Sequence, residues 1–222
     1  MEAKRKSIFA VVITFIWTLV TVLGIGWVNR NILPNVSGAL WLVVVILPWW
    51  PMLLATAFFM RRNGEGLKDI GFTKEKLGAQ ILLGFPVAAI TLLVFIILPE
   101  LLFNIRMGFT MEFNLLNLIT ELIYMLLGVA LVEEIIFRGH LFKKLLDIKD
   151  NKWFAILVSS VLFGLFHMFN FNPLQIVITT IMGIVWCLLR EKIKHCTLLT
   201  LIIAHALHNA LIPLVIGLFF SA

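Results

Sequence analysis

Residues Leu115 to Phe142 read LLNLITELIYMLLGVALVEEIIFRGHLF. The run is apolar enough and long enough to cross a bilayer as a helix, which takes about 20 residues. It nevertheless carries Glu121, Glu133, Glu134, Arg138 and His140. Ionisable side chains inside a lipid-embedded helix cost at least ~2.5 kcal/mol each, so they are functional candidates by default.

The rest of the chain has the same solvent. Of its 222 residues 61% are hydrophobic and 14% charged, against about 45–50% and about 25% in soluble domains. The apolar residues fall into blocks at about Ile8 to Val28, Gly38 to Met60, Ala79 to Leu98, Leu115 to Phe142, Trp153 to Phe171, Leu174 to Leu189 and Leu198 to Phe220. Pro34, Pro99 and Pro173 sit at or near span ends, where a missing N–H is tolerated. The basic run Lys4-Arg5-Lys6 precedes an apolar stretch too long for a signal peptide and without an A-x-A exit, so it reads as a retained first helix.

Charge supports this count. Sixteen of the eighteen Lys and Arg lie on alternate connections, and only Arg30 and Arg106 lie on the others. Cytoplasmic loops carry the excess of positive charge. The expectation is therefore an all-α, polytopic transmembrane helix bundle of about seven spans with its N-terminus in the cytoplasm, one membrane domain over 1–222, in the cell membrane. The net charge of +6 reads as topology signal and headgroup contact, with no nucleic-acid partner. Cys187 and Cys196 match no disulfide or metal framework and read as reduced thiols. Residues 61–77 mix charges with Leu67, Ile70, Phe72 and Leu77, which predicts a short amphipathic anchor on the cytoplasmic surface.

Three spans place polar groups at one depth. Counted at about 1.5 Å per residue from the basic ends, Glu134, His167 and His205 lie roughly 13, 22 and 16 Å in, and one extra turn before Trp153 brings them level. Glu134 and Arg138 are i,i+4 and suited to an ion pair; His205 and Asn209 are i,i+4 and project into one space. Glu133 is turned about 100° from Glu134, so one carboxylate can face a cavity while arginine holds the other. Such a cavity must admit water and is expected to open toward the cytoplasm. Glu121 and His140 read as interface residues near the ends of the fourth span, and His208 as support.

Glu133-Glu134-Ile-Ile-Phe-Arg138 resembles the EExxxR motif of the CPBP family, the CAAX proteases and bacteriocin-processing enzymes also called Abi; Phe163 to His167 resembles its FxxxH motif and His205 to Asn209 its HxxxN motif. The resemblance covers about residues 115–220. It implies a membrane endopeptidase similar to type II CAAX prenyl endopeptidases, cutting a peptide bond near a lipidated or hydrophobic segment, with membrane lipid and a peptide or lipidated protein as partners. Peptide hydrolysis needs an activated water, a base and oxyanion donors. Glu133 with His167 is the water-activating pair, Glu134 with Arg138 orients the site, and His205 and Asn209 donate to the oxyanion.

A divalent metal such as zinc on Glu133, His167 and His205 stays open beside a metal-free glutamate mechanism. The latter is preferred because Asn209 suits an oxyanion hole better than a zinc shell. Two other classes compete: a proton-coupled transporter, since Glu and His also form relays, and a non-catalytic immunity or scaffolding protein. The polar cluster then serves as an ion-pair knot or interhelical glue.

Overall fold

The structure is a computed structural model; it describes residues 1–105 and 114–220, with Ala39 described by its backbone alone. Arg106, counted above among the loop charges, lies outside the described residues. Among the described residues seven helices are long and apolar enough to cross a membrane: α1 Glu2–Asn35, α2 Leu40–Arg62, α3 Leu77–Phe103, α4 Leu115–Ile148, α5 Lys152–Asn170, α6 Pro173–Lys192 and α7 Leu198–Phe220. No strand occurs among the described residues.

Local chemistry explains where these helices start and bend. Asn114, Asn151 and Asn172 cap α4, α5 and α6, each accepting a backbone N–H of its helix's first turn on the side-chain oxygen. Pro173 follows Asn172 as the first helical residue, as the sequence predicts. Pro48 and Pro51 tighten α2 into a 3-10 stretch over Leu47–Met52. Trp17 of α1 donates its indole N–H to Pro51 O at 2.8 Å and so ties α1 to this stretch.

Between lipid-facing helices, small residues permit close approach, since lipid tails remove the ordinary hydrophobic drive for association. Gly164 of α5 lies so near α6 that an added Cβ would stand 2.7 Å from the Ile176 carbonyl oxygen. Gly84 does the same for α3 against Ile203 of α7. The outer helices α1 and α4 run 34 residues each, whereas α5 and α6 run 19 and 20, so the α5–α6 turn falls short of the ends of its neighbours.

The 61–77 connection differs from expectation. Residues 63–76 form turns rather than a surface helix, and Ile70 is fully buried against Leu198, Ile202 and Ala206. Leu67 stays largely exposed. Glu65 contacts Lys144 at 2.5 Å and Lys143 at 3.2 Å, so the segment is pinned to the end of α4 by charge, an attraction that the period of its apolar residues does not reveal. Burial acts to raise the Glu65 carboxyl, but the two lysines outweigh it and hold it below its ordinary range. Arg190, from the last turn of α6, closes this end by donating to the carbonyls of Arg138 and Ile70. Cys187 and Cys196 are free and buried, and burial pushes the Cys196 thiol up to about 11.

Candidate active site

Helix α4 departs from α-geometry on both sides of its double glutamate. Met125–Ala130 and Ile135–Leu141 are wider, π-helical turns, with Leu131–Glu134 between them. Such turns are rare and frequent at functional sites. Their effect here is rotational. In an α-helix an i,i+4 row drifts by about 40° per step; a wider turn rotates each residue less and removes the drift. Glu121, Met125, Val129 and Glu133 consequently all line the internal cavities.

Glu134 and Arg138 form the expected pair, with Arg138 Nη1 donating to Glu134 Oε1 at 3.0 Å and both side chains fully buried. The guanidinium also lies over aromatic faces, 3.8 Å from the Phe163 centroid and 5.1 Å from that of Trp186. Glu134 Oε1 is shared with His205, whose Nδ1 stands 2.9 Å away. The other nitrogen of His205 points to Glu133, Nε2 lying 3.8 Å from Oε2. That Glu133 oxygen is buried and has no hydrogen-bond partner among the described residues, although it borders a cavity. A buried carboxylate oxygen without a partner is costly and is suited to a water or a substrate group.

His167 owes its placement to the end of α5. The last regular turn stops at Phe166, and the His167 backbone N–H bonds Gly164 O in a tightened turn. The Phe163 carbonyl, released from the i,i+4 ladder, faces His167 Nδ1 at 2.9 Å instead. A carbonyl only accepts, so Nδ1 carries the hydrogen and Nε2 is left as a base. Thus the FxxxH spacing acts through backbone as well as ring: Phe163 supplies the carbonyl that fixes the tautomer and an edge-on ring 4.9 Å from the imidazole.

Two cavities meet at this point. One, of about 360 Å³, lies among α3, α4, α6 and α7 and is bordered by Glu121, His205, His208 and Thr179. The other, of about 680 Å³, lies between α1, α4 and the α5–α6 turn and is bordered by Glu133, Tyr124, Trp49 and Arg30. Met125, His167, Gln175 and Asn209 line both. Glu133, His167, His205 and Asn209 therefore all face this composite space, whereas Glu134 and Arg138 line neither cavity and stand behind it.

The larger cavity reaches one end of the bundle. The larger cavity is bordered by Arg30 and Asn31 at the end of α1 and by Asn170 and Phe171 at the α5–α6 turn, the end of the bundle poor in Lys and Arg. The short α5 and α6 are the reason: their turn stops about one helical turn beyond His167, leaving space beside the longer α1 and α4. At the basic end Arg190, Phe137 and Leu141 fill the interior.

Three minor readings also change. His140 is no interface residue: it is wholly buried, with Nε2 3.4 Å from Thr14 Oγ1 and its ring stacked near Phe59. Glu121 faces a cavity and is half-buried. His208 both lines that cavity and points Nδ1 at Thr91 Oγ1, 3.1 Å away. Tyr124, Thr179 and Gln175 are cavity residues that were not singled out in the sequence; each is a polar side chain inside an apolar span, and Gln175 and Thr179 are spaced i,i+4 on α6. Among the described residues no group of three His, Cys, Asp or Glu is gathered to hold a metal ion.

The chain is a helical multi-pass membrane protein with a buried Glu/His/Arg cluster beside internal cavities. In comparison with family models, residues 115–211 match the family described as Type II CAAX prenyl endopeptidase Rce1-like, a little under half of the chain. The match takes in all three motifs, and over this segment the resemblance to the CPBP and CAAX proteases is shown. No curated protein and no solved structure matches the chain.

Proposed function

We propose that this protein is an intramembrane endopeptidase that hydrolyses a peptide bond near a lipidated or hydrophobic segment, using a water held by Glu133 and His167. The observation that carries the reading is the partnerless Glu133 oxygen at the border of a cavity that His167 and Asn209 also line.

The chemistry follows from donors and acceptors. Water between Glu133 and His167 Nε2 gives up a proton to this pair as its oxygen bonds to the scissile carbonyl carbon. The carbonyl oxygen becomes an oxyanion and takes a hydrogen bond from the Asn209 amide. His205 donates from Nε2 in the tautomer in which Glu134 holds the proton shared with Nδ1; in the other tautomer Asn209 donates alone. The proton then passes to the amide nitrogen, the C–N bond breaks, and an acid and an amine leave. Arg138 fixes Glu134, and through it the orientation of His205. No step needs a metal.

The loop charges support an N-terminus in the cytoplasm. In that orientation the larger cavity opens at the opposite face, so the substrate reaches it from that face or through the outer leaflet. Reporter fusions at the two termini test the orientation.

Purified protein in detergent, given apolar and prenylated fluorogenic peptides, is expected to cleave at least one class. Glu133→Gln and His167→Ala should each lower the rate by at least ~100-fold while keeping the wild-type melting temperature. Cleavage that survives both substitutions sinks the assignment, and loss of cleavage on adding a chelator points to the metal-assisted route.

A further inference from the structure

The two cavities differ in charge. In the lobe among α3, α4, α6 and α7, Glu121 is the only charged residue among the described residues of a lining that otherwise consists of apolar, histidine and neutral polar side chains. It is half-buried and has no cationic partner among the described residues. In the lobe beside α1, the charged residues are Glu133 on the inner wall and Arg30 at the end of α1; Arg30 is exposed and likewise has no ion-pair partner among the described residues. The lobes meet at His167, Gln175 and Asn209, where the reactive groups stand. An unmatched charge of opposite sign therefore lies on each side of the candidate bond-breaking point.

Charges held in an apolar surround act over longer distances than charges in water. An intramembrane carboxylate also needs a reason for being there, and the wide turn of α4 spends its geometry on bringing Glu121 into line with Glu133. We infer that the slot is polarised: the inner lobe receives a cationic group of the substrate at Glu121, and the α1 lobe receives an anionic group at Arg30. The inference rests on the peptidase reading and adds substrate direction to it. A peptide with a basic residue on one side of the scissile bond and an acidic residue or free carboxylate on the other fits in one orientation; the reverse arrangement meets like charge at both ends. The α1 contribution, Arg30, lies outside the family-matched residues 115–211.

The test uses two apolar peptides of identical composition, one with Lys before and Glu after the cleaved bond, the other with the order reversed. Binding is measured by fluorescence anisotropy on the full-length Glu133→Gln protein, and cleavage on wild type. One order is expected to bind about tenfold more tightly than the other. Glu121→Gln and Arg30→Gln should each bring the ratio toward one, and Glu121→Lys combined with Arg30→Glu should invert it. Equal binding of the two orders, or a ratio untouched by Glu121→Gln, overturns the proposal. If the binding ratio stands while wild type cleaves neither peptide, the polarised slot survives and the peptidase reading falls. A Glu121 variant that loses both peptides equally has lost its fold, and the exposed Arg30→Gln variant then decides by whether its ratio moves.

Discussion

The guanidinium carbon of Arg138 lies 3.8 Å from the centroid of the Phe163 ring, and that contact joins α4 to α5 beside the ion pair that ties α4 to α7. Arg138 holds Glu134 on its own helix, Glu134 holds His205 on α7, and the carbonyl of Phe163 holds His167 on α5. The arginine face is therefore used for stacking while its edge is used for the ion pair, a double duty that a planar guanidinium can perform and an ammonium cannot. Arg138→Lys is expected to keep the charge and lose the arrangement, lowering cleavage at least ~100-fold. Arg138→Met, which leaves the Glu134 carboxylate buried without a cation, should also destabilise the fold by about 3–5 kcal/mol. Peptide cleavage alongside thermal unfolding in detergent separates the two outcomes; a fully active Arg138→Lys protein would show that stacking is irrelevant.

Gly164 sits one residue after Phe163, at the closest approach of α5 and α6. An added Cβ would meet the Thr180 hydroxyl and stand 2.7 Å from the Ile176 backbone oxygen, and a backbone atom cannot move aside as a side chain does. At Gly183 the nearest atom is the Ser160 side chain at 3.0 Å, a neighbour that can give. Gly164→Ala should therefore lower the melting temperature and shift His167, reducing kcat by about tenfold or more, whereas Gly183→Ala should do much less on both readouts. Equal effects at the two positions would contradict the close-approach argument.

Much of this is legible in the amino-acid sequence. The seven spans, the Glu134–Arg138 pair and the convergence of Glu133, His167, His205 and Asn209 follow from apolar run length and from spacing along an α-helix. What stayed hidden has physical reasons. The π-turns of α4 have no sequence signature, so nothing in the spacing brought Glu121, which reads as an interface residue near a span end, to a cavity wall. The pinning of Glu65 depends on Lys143 and Lys144, about 80 positions away in the chain, and the burial of Ile70 on Leu198, Ile202 and Ala206, which no local period reports. The side on which the cavity opens depends on α5 and α6 being shorter than α1 and α4, a difference in length that becomes informative only once the four helices are packed together.

Glu65 gives the connection between α2 and α3 a dependence on acid. Its folded carboxyl is held below the ordinary value near 4.5 by Lys144 and Lys143, against the opposing effect of burial. A carboxyl depressed in the folded state stabilises the fold above its unfolded value and loses that contribution as pH falls through the folded one. Glu65→Gln should therefore melt a few degrees below wild type at pH 7, and the gap should close as the pH is lowered from 5 toward 3. A gap that is constant across this range would mean that the ion pairs contribute nothing to stability.

His140 provides a control inside the same helix. It lies two residues after Arg138 and is as buried as any catalytic candidate, yet its ring faces Thr14 and Phe59 rather than either cavity. Its Nδ1 has no hydrogen-bond partner among the described residues. Replacing a poorly satisfied buried polar group by an apolar one of similar shape is close to neutral, since the desolvation cost disappears together with the weak bond. His140→Leu should thus retain cleavage within about threefold of wild type and a melting temperature at or above it, while His167→Leu abolishes cleavage. Both variants are read in one assay on protein purified in parallel. Loss of activity in His140→Leu with the fold intact would extend the reactive cluster toward α1 and require a proton path along α4.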